Sequence, residues 1–196
     1  HMLEEHVAIL TAHPEAGLAC SPSEYWYDWE NNPAELKRNE IPPIAPGNQL
    51  YDPPQLLYRC YPLGPLGSPC PCSLVLRRGA YEGVGGFEET FNPQTRQLFE
   101  DMAFLAKIYL AYPVFVSRNC QSRYRQHALS MSSRVESDGS YEIERRYYFQ
   151  WLMGYLVKQR VRDFATWKAL IRRSLTSWLP FSRSITGRMK TPRERS

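Results

Sequence analysis

A chain of 196 residues, 43% hydrophobic and 22% charged, has the composition of a globular protein with one sizeable core, which excludes wholesale disorder and the disulfide-stapled miniprotein class. The net charge is only +4, yet Arg160, Arg162, Lys168, Arg172, Arg173, Arg183, Arg188 and Lys190 crowd the last quarter, so the basic character belongs to the C-terminal part. No run reaches the roughly 18 apolar residues needed to span a bilayer and no signal-peptide pattern opens the chain, which predicts a soluble, cytoplasmic protein.

His1-Met2 has the look of a cloning scar left by a cleaved tag. Leu3, Val7, Ile9 and Leu10 recur at near-helical spacing, and Pro14 disfavours helix at His13, so a short helix is expected to end there. The apolar run Gly17 to Pro22, bounded by glycine and proline, predicts a buried strand. From Ser23 to Pro71 the texture changes: Tyr25, Trp26, Tyr27, Trp29, Tyr51, Tyr58 and Tyr61 are set among prolines and asparagines. This predicts a long loop-like excursion with short helices inside it, for example Pro54 to Arg59. Aromatic faces of this kind suit sugar rings, and they equally suit ordinary loop packing.

Ser73 to Arg78 reads as a strand and Ala80 to Val84 as a helical turn into Gly85-Gly86, where the backbone must turn sharply. Gln97 to Ala111 places Leu98, Met102, Leu105, Ile108 and Tyr109 on one helical face, and Tyr112-Pro113 ends it. Val114 to Val116 and Gln121 to Arg125 predict two short strands or a hairpin around Arg118-Asn119. After the polar break Ser137-Asp138-Gly139-Ser140, helical patterning runs through Tyr141 to Arg162 and Phe164 to Leu179, and a mobile basic tail is expected from Ser182.

Five cysteines, Cys20, Cys60, Cys70, Cys72 and Cys120, lack the spacing of a zinc site and read as free thiols in a reducing compartment. Glu100 and Asp101 fall in the first turn of a helix, where the dipole and free amides favour ionised carboxylates. Neighbours on a helix point about 100° apart, so the two do not share one proton; one faces a cleft as a base while the other holds backbone or a cation. The same pair also reads as plain helix capping. His127, close to Arg123 and Arg125, reads either as an ordinary surface or core histidine or as a residue beside a phosphate and a divalent cation.

The segment from Ser73 to Ser133 resembles the second half of a family-2 glycosyltransferase of the GT-A fold. The resemblance rests on the strand ending in Arg77-Arg78, the turn Val84-Gly85-Gly86-Phe87-Glu88, the pair Glu100-Asp101 and the run Tyr124-Arg125-Gln126-His127 with Ser130 and Ser132. Leu3 to Leu18 is similar to the helix and strand that follow the Asp-x-Asp metal motif of that family. The fold class so implied is α/β: a partial GT-A-like, Rossmann-like mixed sheet with flanking helices over residues 3–133, including the aromatic excursion 23–71. A C-terminal helical extension over 134–181 and a basic tail over 182–196 follow.

The resemblance implies sugar transfer from a nucleotide-sugar donor to a glycan or other acceptor hydroxyl, with inversion. It makes Asp101 the catalytic base. Glu100, Gly86 and Phe87, with Trp26 from the excursion, are expected at the acceptor, Arg123 and Arg125 at the donor diphosphate, and His127 at a divalent metal, manganese or magnesium. The family's N-terminal half, with its Asp-x-Asp motif, is not in this chain, so the chain alone is expected to be inactive and to hold no cofactor tightly. The alternative is a non-catalytic module that binds a glycan, a membrane or a protein on the same scaffold. No nucleic-acid partner is expected. Peripheral contact with a membrane surface through the basic C-terminal helices and self-association through an exposed sheet edge complete the expectations.

Overall fold

The computed structural model describes residues 1–30, 38–91, 98–127, 130, 132, 133, 135 and 139–178. The tail from Ser182, the helix start expected at Gln97, Ser137-Asp138 of the polar break, and Ala128, Leu129 and Met131 lie outside the described residues. Helix α1 spans Met2–Ala12, β1 Leu18–Cys20 and β2 Ser23–Trp26. Then come β3 (Gln49–Tyr51), α2 (Gln55–Arg59), β4 (Leu74–Leu76) and α3 (Arg78–Gly83). Helix α4 (Glu100–Ala111), β5 (Val114–Val116) and β6 (Ser122–Arg125) lead to the long helices α5 (Tyr141–Lys158) and α6 (Phe164–Trp178).

The protein is α/β, with a mixed four-stranded sheet in the order β3-β5-β1-β4 and helices on both faces. The central pair β1 and β5 is parallel, and β3 and β4 flank it antiparallel. The aromatic excursion is therefore not loop throughout, because it supplies edge strand β3, and its Tyr51, Leu56, Leu57, Cys60 and Leu63 are buried in the core. Nor do β5 and β6 form a hairpin. Each central strand continues past a bend, β1 into β2 and β5 into β6, and the second pair is again parallel, with Ser23 opposite Ser122. The Ser117 amide donates to the Cys20 carbonyl at 2.8 Å across the bend.

Alternation along the strands sorts side chains between two layers. Leu18 and Cys20 of β1, Val114 and Val116 of β5, and Tyr51 of β3 join the main core with α4, α5 and α6, where Phe104, Leu105, Ile108, Tyr148, Leu152, Leu156 and Leu170 are also buried. Ala19, Leu50 and Val75 face the other way, onto Leu10 and Ile9 of α1. The two C-terminal helices thus share the core of the sheet. Both outer strands are three residues long, and short edges limit strand addition by another chain. Among the described residues, no helix is long and apolar enough to cross a membrane.

Arg77, at the end of β4, ties α1 to the sheet. Its Nε donates to the Ala16 carbonyl at 2.9 Å, and its terminal nitrogen donates to the carbonyls of Leu10 and, at 3.4 Å, His13. A cation at these carbonyls satisfies acceptors that the helix end leaves open and complements its dipole. Arg77→Met should lower the unfolding free energy by about 1–2 kcal/mol, read as a reduced urea midpoint at unchanged slope.

His6 is only 1% exposed, and its Nδ1 has no partner among the described residues. Burial pushes its pKa down, against a smaller opposing pull from Glu5. The folded state therefore prefers the neutral ring. Its stabilising contribution is present above the ordinary histidine pKa and is lost as pH falls through the lowered folded value. His6→Gln should flatten the loss of stability on acidification from neutral pH, measured as urea midpoint against pH.

Candidate functional site

Helix α4 is buried nearly all round: every residue from Ala103 to Tyr109 is inaccessible, Lys107 included. The sequence pattern predicts one apolar face, but cover by the sheet on one side and by α2 and α5 on others leaves only the ends of α4 to meet solvent. Lys107 Nζ lies 3.8 Å from Glu88 Oε2, and Phe87 stacks on Phe104 with ring centres 4.6 Å apart. These two contacts hold the glycine turn against the side of α4. Gly85 and Gly86 have φ of +74° and +62°, and a Cβ on Gly86 would stand 2.7 Å from the Tyr81 hydroxyl oxygen.

At the head of α4, Phe99 has φ +76°, a left-handed conformation that is costly for a bulky residue and persists only where packing enforces it. Here the packing is aromatic. The Phe99 ring stacks on Tyr148 at 5.4 Å and on Tyr61 at 6.2 Å and meets Tyr141 at 5.8 Å. The sharp turn at Phe99 opens the first turn of α4 towards a cavity of about 890 Å³, whose walls include Asp101, Met102 and Phe99.

That cavity brings together Asp101 and His127 with Tyr25, Tyr27, Tyr61, Tyr124 and Tyr141, as well as Gln126, Cys70, Cys72 and Ser133. Burial raises the pKa of the Tyr25, Tyr124 and Tyr141 phenols, so at neutral pH they are uncharged hydrogen-bonding groups on apolar rings. Tyr61 and Tyr141 bond each other through their hydroxyls. The side-chain amide nitrogen of Gln126 is buried in the wall with no partner among the described residues. Burial pushes the Cys70 thiol up to about 11, so it stays protonated.

The parallel pair β2 and β6 decides which residues of two motifs reach this space. Tyr25 lies opposite Tyr124 and Trp26 opposite Arg125. Tyr25, Tyr27, Tyr124 and Gln126 line the cavity, whereas Glu24, Trp26, Arg123 and Arg125 do not. On the far face Arg123 Nε meets Glu24 Oε2 at 2.7 Å, and both arginines lie over the Trp26 ring, at 5.1 and 5.6 Å. Arg125 also covers Trp29, whose indole N–H donates to the Gln126 carbonyl at 2.9 Å. Of the expected site residues, then, Asp101 and His127 share the cavity. Glu100, Gly86, Phe87, Trp26, Arg123 and Arg125 are not part of its lining. Residue type alone does not single out Tyr124 and Gln126 as lining residues, although a period-two reading of the strand separates them from the two arginines.

The electrostatics of Asp101 run against the simple helix-start argument. Burial raises its carboxyl above the ordinary aspartate value, Glu100 adds to that, and the Met102 N–H, which donates to Oδ1 at 2.8 Å, pulls the other way without winning. Desolvation outweighs the amides because much of the carboxyl's surroundings is protein, and Asp101 lines the cavity wall. The result is a stronger base than a surface aspartate. His127 has its carbonyl capped by the Ser130 amide at 3.0 Å and the Ser133 hydroxyl at 3.1 Å.

Among the described residues no three histidine, cysteine, aspartate or glutamate side chains converge on a metal site. No family model matches the chain, and no curated protein sequence matches it.

Gly86→Ala should cost about 1–2 kcal/mol, through strain at positive φ and the clash with Tyr81. Gly79 lies in α3, where an added methyl group would meet open space, and it should instead tolerate alanine or gain up to about 1 kcal/mol. Thermal unfolding of the two variants side by side checks both.

Proposed function

We propose that this chain forms the acceptor side of a family-2-like, inverting glycosyltransferase of GT-A type, with Asp101 as the catalytic base. The observation that carries the reading is Asp101 itself, a desolvated carboxyl opening into a tyrosine-walled cavity. Tyrosine rings offer flat apolar faces to a sugar ring, and their hydroxyls offer hydrogen bonds to its edge. The order of motifs along the chain, from the glycine turn through Glu100-Asp101 to Tyr124-Arg125-Gln126-His127, supports the same reading.

In the proposed reaction the acceptor oxygen forms the new bond to the anomeric carbon, and the bond from that carbon to the nucleoside diphosphate breaks, its electron pair leaving with the diphosphate. The acceptor hydroxyl becomes acidic as its bond forms, and Asp101 takes the proton. The Phe99 turn sets the place of the base at the head of α4. Peripheral contact at a membrane surface, through the basic C-terminal helices, belongs to the same proposal.

In a form of the protein competent for transfer, Asp101→Asn should lower turnover by roughly 10²–10⁴-fold with donor binding preserved. The wild-type acid limb should lie above that of an ordinary aspartate. Unchanged turnover removes Asp101 as base. A second readout needs no activity. Because the fold raises the Asp101 pKa, the stability it contributes is complete below the unfolded aspartate value and is lost as pH rises through the folded one. Asp101→Asn should therefore be more stable than wild type at neutral pH, with the difference vanishing in acid.

A further inference from the structure

The C-terminal helices spend one side on the core and leave the other open. On α6, Leu170 and Thr166 are buried, the Trp167 indole donates to the Val161 carbonyl at 2.9 Å, and Arg173 donates to the carbonyls of Leu63 and Gly64, each at 3.0 Å. Away from these contacts, Phe164, Ile171 and Leu175 are 78%, 51% and 60% exposed. At 3.6 residues per turn the three fall within about 40° of one another. Large apolar side chains aligned on an open helix face are unusual for a solvated surface.

The exposed charge beside this stripe is mainly positive, although Glu142 of α5 reaches the far end of α6 at Ser177. Lys168 and Arg172 are exposed beside it on α6. At the end of α5, Met153 and Val157 are 42% and 64% exposed and one turn apart, and Lys158, Arg160 and Arg162 follow, all exposed. Between Phe149 and Trp178 the sole acidic residue is Asp163, and its carboxylate accepts the Thr166 amide at 2.6 Å as the cap of α6.

We infer that the Phe164-Ile171-Leu175 stripe of α6, with the exposed cations Lys168 and Arg172 beside it, docks onto an anionic lipid surface. A stripe of bulky apolar residues bordered by lysine and arginine matches the boundary between acyl chains and headgroups, where the apolar groups insert and the cations meet lipid phosphates. The core of a protein interface is poor in lysine, so charge complementarity favours lipid over a protein partner. The inference rests on the peripheral-contact reading above and is independent of catalysis.

The test is flotation of the full chain with vesicles of phosphatidylcholine alone and of phosphatidylcholine mixed with phosphatidylglycerol. Binding to the mixed vesicles, weaker on neutral ones and reduced by salt, is expected. Lys168→Glu with Arg172→Glu should lower partitioning at least roughly tenfold, and Phe164→Ser with Ile171→Ser should remove the part that survives high salt. Circular dichroism on these surface variants verifies that the helices are retained. Binding that both pairs leave intact would keep peripheral contact and overturn this face as its origin. Failure to bind either vesicle overturns both, whereas self-association in solution abolished by the same substitutions overturns this face as the lipid site, because it would make the stripe a protein interface. None of these results bears on Asp101.

Discussion

The burial of α4 is the constraint on which the rest of the structure depends. A helix enclosed by a sheet on one side and by helices on others meets solvent only at its ends, so whatever it presents to a ligand must sit there. At its N-terminal end sit Glu100 and Asp101, preceded by Phe99 in a left-handed conformation that its aromatic neighbours Tyr61, Tyr141 and Tyr148 hold in place. Further along, the buried Lys107 takes Glu88 as partner, and Phe104 takes Phe87. The glycine turn that precedes α4 in sequence is thereby fastened to its side, away from the cavity that its N-terminus opens into.

The same burial sets the chemistry of Asp101. A helix start offers amides that stabilise a carboxylate, and Met102 supplies one. Enclosure by protein works in the opposite sense, and it prevails. A carboxyl whose anionic form is made costly by its surroundings takes up a proton more readily. The stability forgone at neutral pH and the basicity gained have one cause.

The site is completed from a distance by the bend that turns β1 into β2 and β5 into β6. Because the two strands stay parallel through the bend, their alternation remains in phase, with tyrosines on the cavity side and the glutamate, tryptophan and arginines on the other. One face presents rings and hydroxyls to the cavity; on the other, guanidinium groups lie on indole faces. Two motifs that adjoin in sequence thus serve different surfaces. The C-terminal helices close the core behind the cavity with Tyr148, Leu152 and Leu156.

Much of the element order was legible in the sequence, since periodicity and prolines act locally: α1 stops at His13-Pro14, α2 lies in Gln55–Arg59, and α5 and α6 follow their helical patterning. Type and spacing left Asp101 open between a helix cap and a base, and His127 open between an ordinary histidine and a ligand; the structure brings the two to one cavity. What the sequence by itself determined is this local layer of helices, short strands, glycine turns and an acidic helix start. Only the tertiary structure decided that the aromatic excursion contributes a sheet edge, that Arg123 and Arg125 turn away from the cavity while Tyr124 and Gln126 enter it, and that desolvation outweighs the helix start at Asp101. Each of those depends on which strand lies beside which and on what surrounds a side chain, and such long-range neighbours leave no mark on local periodicity.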